Sequence, residues 1–200
     1  MRCRGIQSRM AAAAWLALGM AACSSAVVAG GGPASGPPKS TLWVYHNGAF
    51  KWPGDWSWEA KVDYFDTAGS PAEGRYDIAV TITGGSGGWQ PYVSTTCQYR
   101  AIDCFDITPY KFMVLSLKPT VEGARWAVNI LSASDTPDGR INDVANFAQS
   151  PPCPTVGHWC SYKIPLSAFD LKNPKVLKFS IQDESGPARF YVADVGFTVD

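Results

Sequence analysis

Residues 51 to 65, KWPGDWSWEAKVDYF, contain the clearest evidence of the fold class. From position 56 onward, large or apolar side chains alternate with small or charged ones. The first set comprises Trp56, Trp58, Ala60, Val62 and Tyr64, and the second comprises Ser57, Glu59, Lys61 and Asp63. Because successive side chains of a β-strand point to opposite faces of a sheet, this alternation predicts a half-buried strand. It assigns Trp56 and Trp58 to the core.

Six further segments have the composition of strands. They are RYDIAVTIT, YKFMVLSLKP, RWAVNILSA, CSYKIPL, VLKFSIQD and RFYVADVGFTV. In the third, Trp126 alternates with Val128 and Ile130, which predicts a core tryptophan. The connections are rich in Gly, Pro, Asp and Ser, which favour turns, and no long stretch has helical periodicity. The sequence therefore predicts an all-β protein, an antiparallel β-sandwich or jelly roll.

The N-terminus predicts export. In residues 1–23, three arginines precede an apolar run that is too short to form a stable membrane anchor. The run ends in MAACSS, which resembles a bacterial lipobox with Met20 where Leu is usual. Two interpretations stay open: lipidation of Cys23, or an ordinary signal peptide cleaved nearby. Either places the protein outside the cytoplasm, with the membrane reached only through a lipid on Cys23.

The rest of the chain predicts a linker and one domain. Residues 24–40 are rich in Gly, Pro and Ser and lack apolar periodicity, so we expect a tether, followed by a single domain over 41–200. Lys plus Arg and Asp plus Glu both number 17, so no global charge points to nucleic acid or an anionic membrane. We expect a monomer.

Four cysteines lie in the domain: Cys97, Cys104, Cys153 and Cys160. An even number in an exported chain predicts two disulfides, and three pairings are formally possible. Because each neighbouring pair is close in sequence, we favour Cys97–Cys104 and Cys153–Cys160. A zinc site is disfavoured, since neither pair has the short spacing of a zinc knuckle.

Four segments in order resemble galactose-binding-like jelly-roll domains, and in particular non-catalytic carbohydrate-binding modules. They are the opening YHNGAFKWPGDWSWEAKVDYFDTAGSPAEGRYDIAVTIT, then DITPYKFMVLSLKP, GHWCSYKIPLSAF and LKFSIQDESGPARFYVADVGF. The similarity extends from about Trp43 to Phe197, which is nearly all of the expected mature chain. It implies a sugar-binding β-sandwich whose partner is a polysaccharide or oligosaccharide.

Candidate ligand contacts are the aromatic residues that fall outside the core alternation, because flat aromatic faces bind the C–H faces of sugar rings. They are Trp52 in a loop before Pro53, Trp89 after GGSGG, Tyr92 in the next loop, and Trp159 opposite the apolar face of its strand. Gln182 is the preferred polar partner. Lys178, Asp55 and Asn47 are further polar candidates.

The resemblance also implies a structural calcium ion near the two chain ends, since many such modules carry one. Asp194 in FYVADVGF is the candidate ligand, with Glu59 or Asp63 as partners. The usual adjacent acidic pair is reduced here to Ala193–Asp194, which weakens this expectation. We expect no other cofactor.

Two other functional classes stay open. A jelly-roll polysaccharide lyase or glycoside hydrolase would need a catalytic base or two facing carboxylates, and no spacing marks such a group, so we assign no catalytic residue. A surface lipoprotein that binds a protein partner would share the same signal and tether. The sequence favours sugar binding without catalysis.

Overall fold

The structure is a computed structural model that describes residues 40–52, 54–69, 76–97, 99, 103–132, 137–150 and 152–200. These residues belong to one compact unit. The predicted export signal, the lipidation candidate Cys23 and nearly all of the predicted tether lie outside the described residues. No helix in the described part of the chain is long and apolar enough to cross a membrane.

The described residues are built almost entirely from β-strands joined by turns. The strands are β1 (Thr41–His46), β2 (Ala49–Phe50), β3 (Gly54–Asp55), β4 (Ala60–Asp66), β5 (Asp77–Ile82), β6 (Gly88–Trp89), β7 (Pro91–Tyr92), β8 (Phe105–Asp106), β9 (Phe112–Pro119), β10 (Trp126–Ser132), β11 (Pro137–Ile141), β12 (Cys160–Pro165), β13 (Lys175–Asp183) and β14 (Arg189–Thr198). Short 3-10 helices cover Val144–Phe147 and Leu166–Phe169.

The first sheet is organised around β14. One edge of β14 pairs with β9, which pairs in turn with β12. The other edge is shared, because Arg189–Val192 pairs with β5 and Val195–Thr198 pairs with β1. Strand β4 extends the sheet beyond β5, and β2 extends it beyond β1. A β-bulge between Ala193 and Gly196 separates the two halves of β14.

The second sheet is organised around β13. Strand β10 pairs with one edge of β13 and with β11 beyond it. The other edge of β13 pairs in succession with the short strands β6, β7 and β8, and β3 pairs with β7. All of these pairings are antiparallel, so the predicted antiparallel β-sandwich of jelly-roll type is confirmed.

The core lies between the two sheets and is lined by alternate residues of each long strand. Strand β9 contributes Met113, Leu115 and Leu117, and β13 contributes Phe179 and Ile181, all fully buried. Burial of such side chains contributes about 1.5–3 kcal/mol each, which makes this layer the main stabilising feature. Trp126 is also buried, in tilted or edge contact with Tyr162 and Phe190, and its predicted place in the core is confirmed.

The tryptophans of residues 51–65 are arranged differently from the prediction. Strand β4 begins at Ala60, because Glu59 has the left-handed backbone conformation (φ 45°) and interrupts the alternation. Ala60, Val62 and Tyr64 pack against the core as predicted, but Trp56 and Trp58 are only half-buried and lie outside it. Trp58 lies over Gly88 and donates from Nε1 to the carbonyl of Ser86 at 2.7 Å. The core assignment of these two residues is therefore wrong.

Two disulfides join the cysteine pairs that the sequence favours. Cys97 is bonded to Cys104, and Cys153 is bonded to Cys160. Cys97 and Cys160 are buried, so each bond ties an adjacent loop to the sandwich. Disulfides of this kind are typical of proteins that fold in an oxidising compartment.

Candidate functional site

The outer surface of the second sheet presents a row of polar side chains along β13. Phe179 and Ile181 point into the core. Because side chains alternate across a sheet, Lys178, Ser180 and Gln182 point the other way. At about 3.3 Å per residue the row extends over roughly 13 Å. Lys178 and Ser180 are themselves buried and Gln182 is half-buried, so a ligand on this surface would meet Gln182 and the side chains that flank the row.

Two aromatic rings lie at one end of this row. Trp56 and Tyr92 pack against each other in a tilted arrangement, with ring centroids 4.4 Å apart and an interplanar angle of 30°. Tyr92 is the cross-strand partner of Lys178, whose Nζ lies 4.6 Å from the centroid of the Trp56 ring. Tyr92 also pairs with Gly54 of β3, and its ring lies directly over this glycine. A Cβ atom at position 54 would come within 2.1 Å of the Tyr92 ring and hydroxyl. A glycine is therefore required at position 54.

Asp55 fixes the turn that directs Trp56 outward. Its Oδ1 accepts hydrogen bonds from the backbone N–H of Ser57 at 2.6 Å and from the Ser57 hydroxyl. Its Oδ2 accepts from the hydroxyl of Tyr64 at 2.6 Å, and that hydroxyl accepts from Trp89 Nε1 at 3.1 Å. Burial, reinforced by the hydrogen bond to Asp55, raises the pKa of Tyr64 well above its usual value. The chain from Trp89 to Asp55 thus joins the core to the Trp56 turn.

A hydrogen-bonded network covers the other end of the row. Arg140 on β11 donates from Nη1 to Asn129 Oδ1 at 2.8 Å and to Gln182 Oε1 at 3.1 Å, and its Nη2 forms an ion pair with Glu184. Asn129 Nδ2 donates to Ser180 Oγ at 3.0 Å. These bonds hold the side chains in place before any ligand arrives, which lowers the entropy cost of binding.

We call this surface the aromatic–polar face. It comprises Trp56, Tyr92, Asn129, Arg140, Lys178, Ser180 and Gln182. Apolar ring surface at one end and fixed donors and acceptors at the other suit an extended ligand that carries both C–H surface and hydroxyl groups.

No protein-family model matches the sequence, and no curated protein sequence matches it. Solved structures do resemble the fold. The family 30 carbohydrate-binding module of the cellulosomal cellulase Cel9D-Cel44B of Clostridium thermocellum aligns with a TM-score of 0.54 at 13% identity. That alignment covers 80% of this chain and 98% of the module.

Two further structures match at a TM-score of 0.50. The CBM22-1 xylan-binding domain of Paenibacillus barcinonensis Xyn10C is 11% identical, over 81% of this chain and 97% of that domain. A CBM29-2 mutant complexed with cellulohexaose is 13% identical, over 80% of this chain and 90% of that one.

The chain has the fold of carbohydrate-binding modules. The resemblance drawn from the four sequence segments is therefore confirmed at the level of fold. At identities this low, the likeness to these modules extends to the fold alone.

Within this carbohydrate-binding-module fold, two of the predicted ligand contacts lie on the aromatic–polar face. Tyr92 is half-buried and packs against Trp56, and Gln182 is half-buried and bound to Arg140. Whether either contacts a ligand stays a prediction. Lys178, a further polar candidate, lies between them.

Trp52 and Trp89 are placed elsewhere. Trp89 is fully buried between Phe50 and Phe179, and Trp52 is 8% exposed and packs on Phe179 at 5.3 Å between ring centroids. Both residues lie in loops or short strands, but these segments pack against the core and bury the two rings. We therefore correct their assignment from ligand contacts to core residues.

The remaining aromatic candidate, Trp159, is half-buried directly before β12 in the first sheet. It is thus separated from the aromatic–polar face, which belongs to the second sheet. The residues that the sequence argument missed are Trp56, Asn129, Arg140 and Ser180. Only Ser180 had a local signal, the alternation of VLKFSIQD, because the others reach the face through loop geometry or cross-strand pairing.

The side chains around Asp194 do not fit a calcium ion. Asp194 Oδ1 lies 2.7 Å from His46 Nδ1, whereas Ca²⁺ prefers six to eight oxygen ligands. Glu59 and Asp63 accept hydrogen bonds from the backbone N–H groups of Ser86 and Phe65 instead. Among the described residues, no three His, Cys, Asp or Glu side chains gather at one place. Calcium binding stays a prediction without a site in this part of the chain.

Proposed function

We propose that this protein is exported and binds polysaccharide on the aromatic–polar face without cleaving it. The observation that carries the proposal is the close packing of the Trp56 and Tyr92 rings at one end of the row formed by Lys178, Ser180 and Gln182. The fold supports it, since the solved structures that share this fold include a xylan-binding domain and a module complexed with cellulohexaose.

The chemistry of the face suits a neutral sugar chain. The pair of rings offers apolar surface to the C–H faces of sugar rings, while Gln182 and Arg140 offer hydrogen bonds to hydroxyl groups. Lys178 is only 8% exposed and its ammonium lies against Trp56, so its contribution is to hold that ring in place. A face that extends along β13 in this way favours the middle of a sugar chain over its end.

The ion pairing on this face favours binding over hydrolysis. Glycoside hydrolysis uses two carboxyl groups that flank the scissile bond. Two acidic residues adjoin the face: Asp55, beside Trp56, is bound to Ser57 and Tyr64, and Glu184 is bound to Arg140. Its negative charge is therefore used to hold the arginine in place.

The proposal of export rests on residues 1–23 and on the two disulfides. We propose that the mature protein acts as a monomer outside the cytoplasm, tethered by residues 24–40 if Cys23 is lipidated. Labelling of bacterial cells with a fatty-acid analogue, with Cys23→Ser as the control, tests the lipid. Label that is equal in both proteins would exclude lipidation at Cys23.

Affinity electrophoresis in gels that contain xylan, glucomannan, mixed-linked β-glucan or hydroxyethyl cellulose tests sugar binding. We expect retardation by at least one of them, and a loss of affinity of at least about tenfold in Trp56→Ala. Phe65→Ala is the matched control, because Phe65 is 68% exposed on β4 of the first sheet. A protein that no polysaccharide retards, or a Trp56→Ala variant that is retarded like the wild type, would contradict the proposal.

The same samples distinguish the alternatives. New reducing ends or unsaturated products would favour a hydrolase or a lyase. Capture of one defined protein in the absence of any polysaccharide retardation would favour the adhesive lipoprotein.

A further inference from the structure

The outer surface of the first sheet contains a groove that the proposed function does not use. It has a volume of about 380 Å³ and is lined by residues that include Trp43, His46, Ser116, Ser161, Lys163 and Asp194. This volume falls within the range of small-molecule sites. The core separates the groove from the aromatic–polar face, since the lining strands β1, β9, β12 and β14 all belong to the first sheet.

Two β-bulges build one wall of the groove. The pairing of β1 with β14 shifts between Trp43 and Tyr45, and the pairing of β14 with β9 shifts between Ala193 and Gly196. Within the second bulge, Asp194 has the left-handed conformation (φ 51°), which is uncommon for a residue with a side chain. The bulge directs Asp194 into the groove while Val195 remains fully buried in the core. Bulges commonly re-aim side chains in this way beside binding sites.

Trp43 and His46 are held rigidly in this wall. Their rings stack with centroids 4.5 Å apart and an interplanar angle of 13°. His46 Nδ1 donates to Asp194 Oδ1 at 2.7 Å, and Asn47 Nδ2 donates to His46 Nε2 at 3.2 Å. Trp43 also lies against Gly196, where a Cβ atom would be 2.9 Å from Trp43 Cε3. The indole therefore has a fixed position before any ligand binds.

The other wall carries hydroxyl groups and one ammonium. Ser116 on β9 and Ser161 on β12 are cross-strand partners, and their Oγ atoms are 3.1 Å apart. Lys163 follows on the same face, with Nζ 4.5 Å from the centroid of the Phe112 ring. The groove thus combines a rigid indole, hydroxyl groups that can both donate and accept, the side-chain carboxylates of Asp194 and Asp200, and one ammonium.

We infer that the groove is a second ligand site that takes a neutral sugar of one or two rings. The mixture of donors and acceptors matches a polyhydroxylated molecule. A phosphate or a uronate is disfavoured, because Asp194 and Asp200 line the groove against the single ammonium of Lys163. The limited volume suits one sugar unit or a chain end, whereas the aromatic–polar face suits the middle of a chain. The protein would then contact two glycans on opposite sides.

Two-dimensional NMR of the full-length ¹⁵N-labelled protein tests this inference. The probes are glucose, xylose, mannose, galactose and cellobiose, and Trp43→Phe assigns the Trp43 indole signal. We expect at least one sugar to shift that signal saturably and to leave the Trp56 indole signal unchanged. Ser161 is exposed and lines the groove, so the tyrosine ring of Ser161→Tyr should occupy the space of the sugar. The affinity for the sugar should therefore be at least about tenfold lower in this variant.

The Trp56→Ala variant keeps this test separate from the proposed function. It should retain the sugar-induced shift at Trp43 even though it loses polysaccharide binding. If none of the five sugars shifts Trp43 saturably, or if the shift persists unchanged in Ser161→Tyr, the second site does not exist. Loss of polysaccharide binding in Ser161→Tyr with the Trp43 signal unmoved by sugars would also contradict two separate sites.

Discussion

The ammonium of Lys178 lies 4.6 Å from the centroid of the Trp56 ring, on the outer surface of the second sheet. Lys178 is only 8% exposed, so water screens this cation–π contact weakly. The contact links β13 to the turn that precedes β4. It therefore fixes the Trp56 ring at a defined place on the aromatic–polar face.

Removal of this charge should weaken polysaccharide binding. Lys178→Met keeps an unbranched side chain of similar length but loses both the cation–π contact and the hydrogen-bond donors. We expect the affinity for a retarding polysaccharide to fall roughly fivefold, equivalent to about 1 kcal/mol. Affinity electrophoresis measures it, with Lys178→Arg as the control that keeps the charge. Equal affinity in Lys178→Met and the wild type would show that the ammonium takes no part.

Truncation of Trp52 should mainly reduce stability, whereas truncation of Trp56 should mainly reduce polysaccharide binding. Trp52 packs against Phe179 in the core, so Trp52→Ala should reduce the free energy of unfolding by about 3–5 kcal/mol. Trp56 is half-buried on the surface, and Trp56→Ala should cost about 1 kcal/mol while it reduces binding. Urea denaturation followed by circular dichroism checks both values. A smaller loss of stability for Trp52→Ala than for Trp56→Ala would contradict the placement of the two rings.

The free energy of unfolding should depend on pH through the ionisation of Asp77. Burial, and next the negative charge of Asp66, raise the pKa of the Asp77 carboxyl from 3.8 to about 7, although Lys118 and Arg189 oppose the shift. Between these two values the folded state binds more protons than the unfolded state, so the stability should fall as the pH rises from about 4 to about 7. Above pH 7 this contribution should be constant.

Asp77→Asn isolates this effect, because the amide does not ionise. We expect the variant to be more stable than the wild type at pH 8, by roughly 2–4 kcal/mol, and to differ little at pH 4. Thermal denaturation at both pH values measures the difference. A variant that is destabilised equally at pH 4 and pH 8 would mean that the charge of Asp77 does not control stability.

The disulfide Cys97–Cys104 should make a modest contribution. Its short loop gives about 2.5 kcal/mol in the chain-entropy model, so the double variant Cys97→Ser, Cys104→Ser should lose about that much free energy of unfolding. Urea denaturation under non-reducing conditions measures the loss. We expect polysaccharide retardation to persist, since neither cysteine belongs to the aromatic–polar face. Loss of retardation in a still-folded double variant would contradict that expectation.

The sequence predicted the strands well and the site only in part. The alternation in VLKFSIQD placed Phe179 and Ile181 inside and Gln182 outside, because parity holds along an unbroken strand. Alternation did not predict the place of Trp56, because Glu59 leaves the extended conformation. Residues before Glu59 therefore no longer alternate in step with those of β4. Asn129 lies in the apolar strand β10 and Arg140 in β11. Only the pairing of β10 with β13 brings Asn129 to Ser180, and only the pairing of β11 with β10 brings Arg140 within reach of Gln182.

The sequence by itself determined the all-β architecture, the two local disulfides and the apolar faces of the long strands. These features follow from backbone geometry and from short separations along the chain, which local composition controls. The burial of Trp126 was predictable from its strand, whereas the places of Trp52, Trp56 and Trp89 depended on the tertiary structure. Trp52 is in the core because the edge of the second sheet closes over it, and Trp56 is outside because one left-handed residue and the bonds of Asp55 turn it outward. The burial of a large ring depends on the surface that meets it, and that surface comes from residues far away in the sequence.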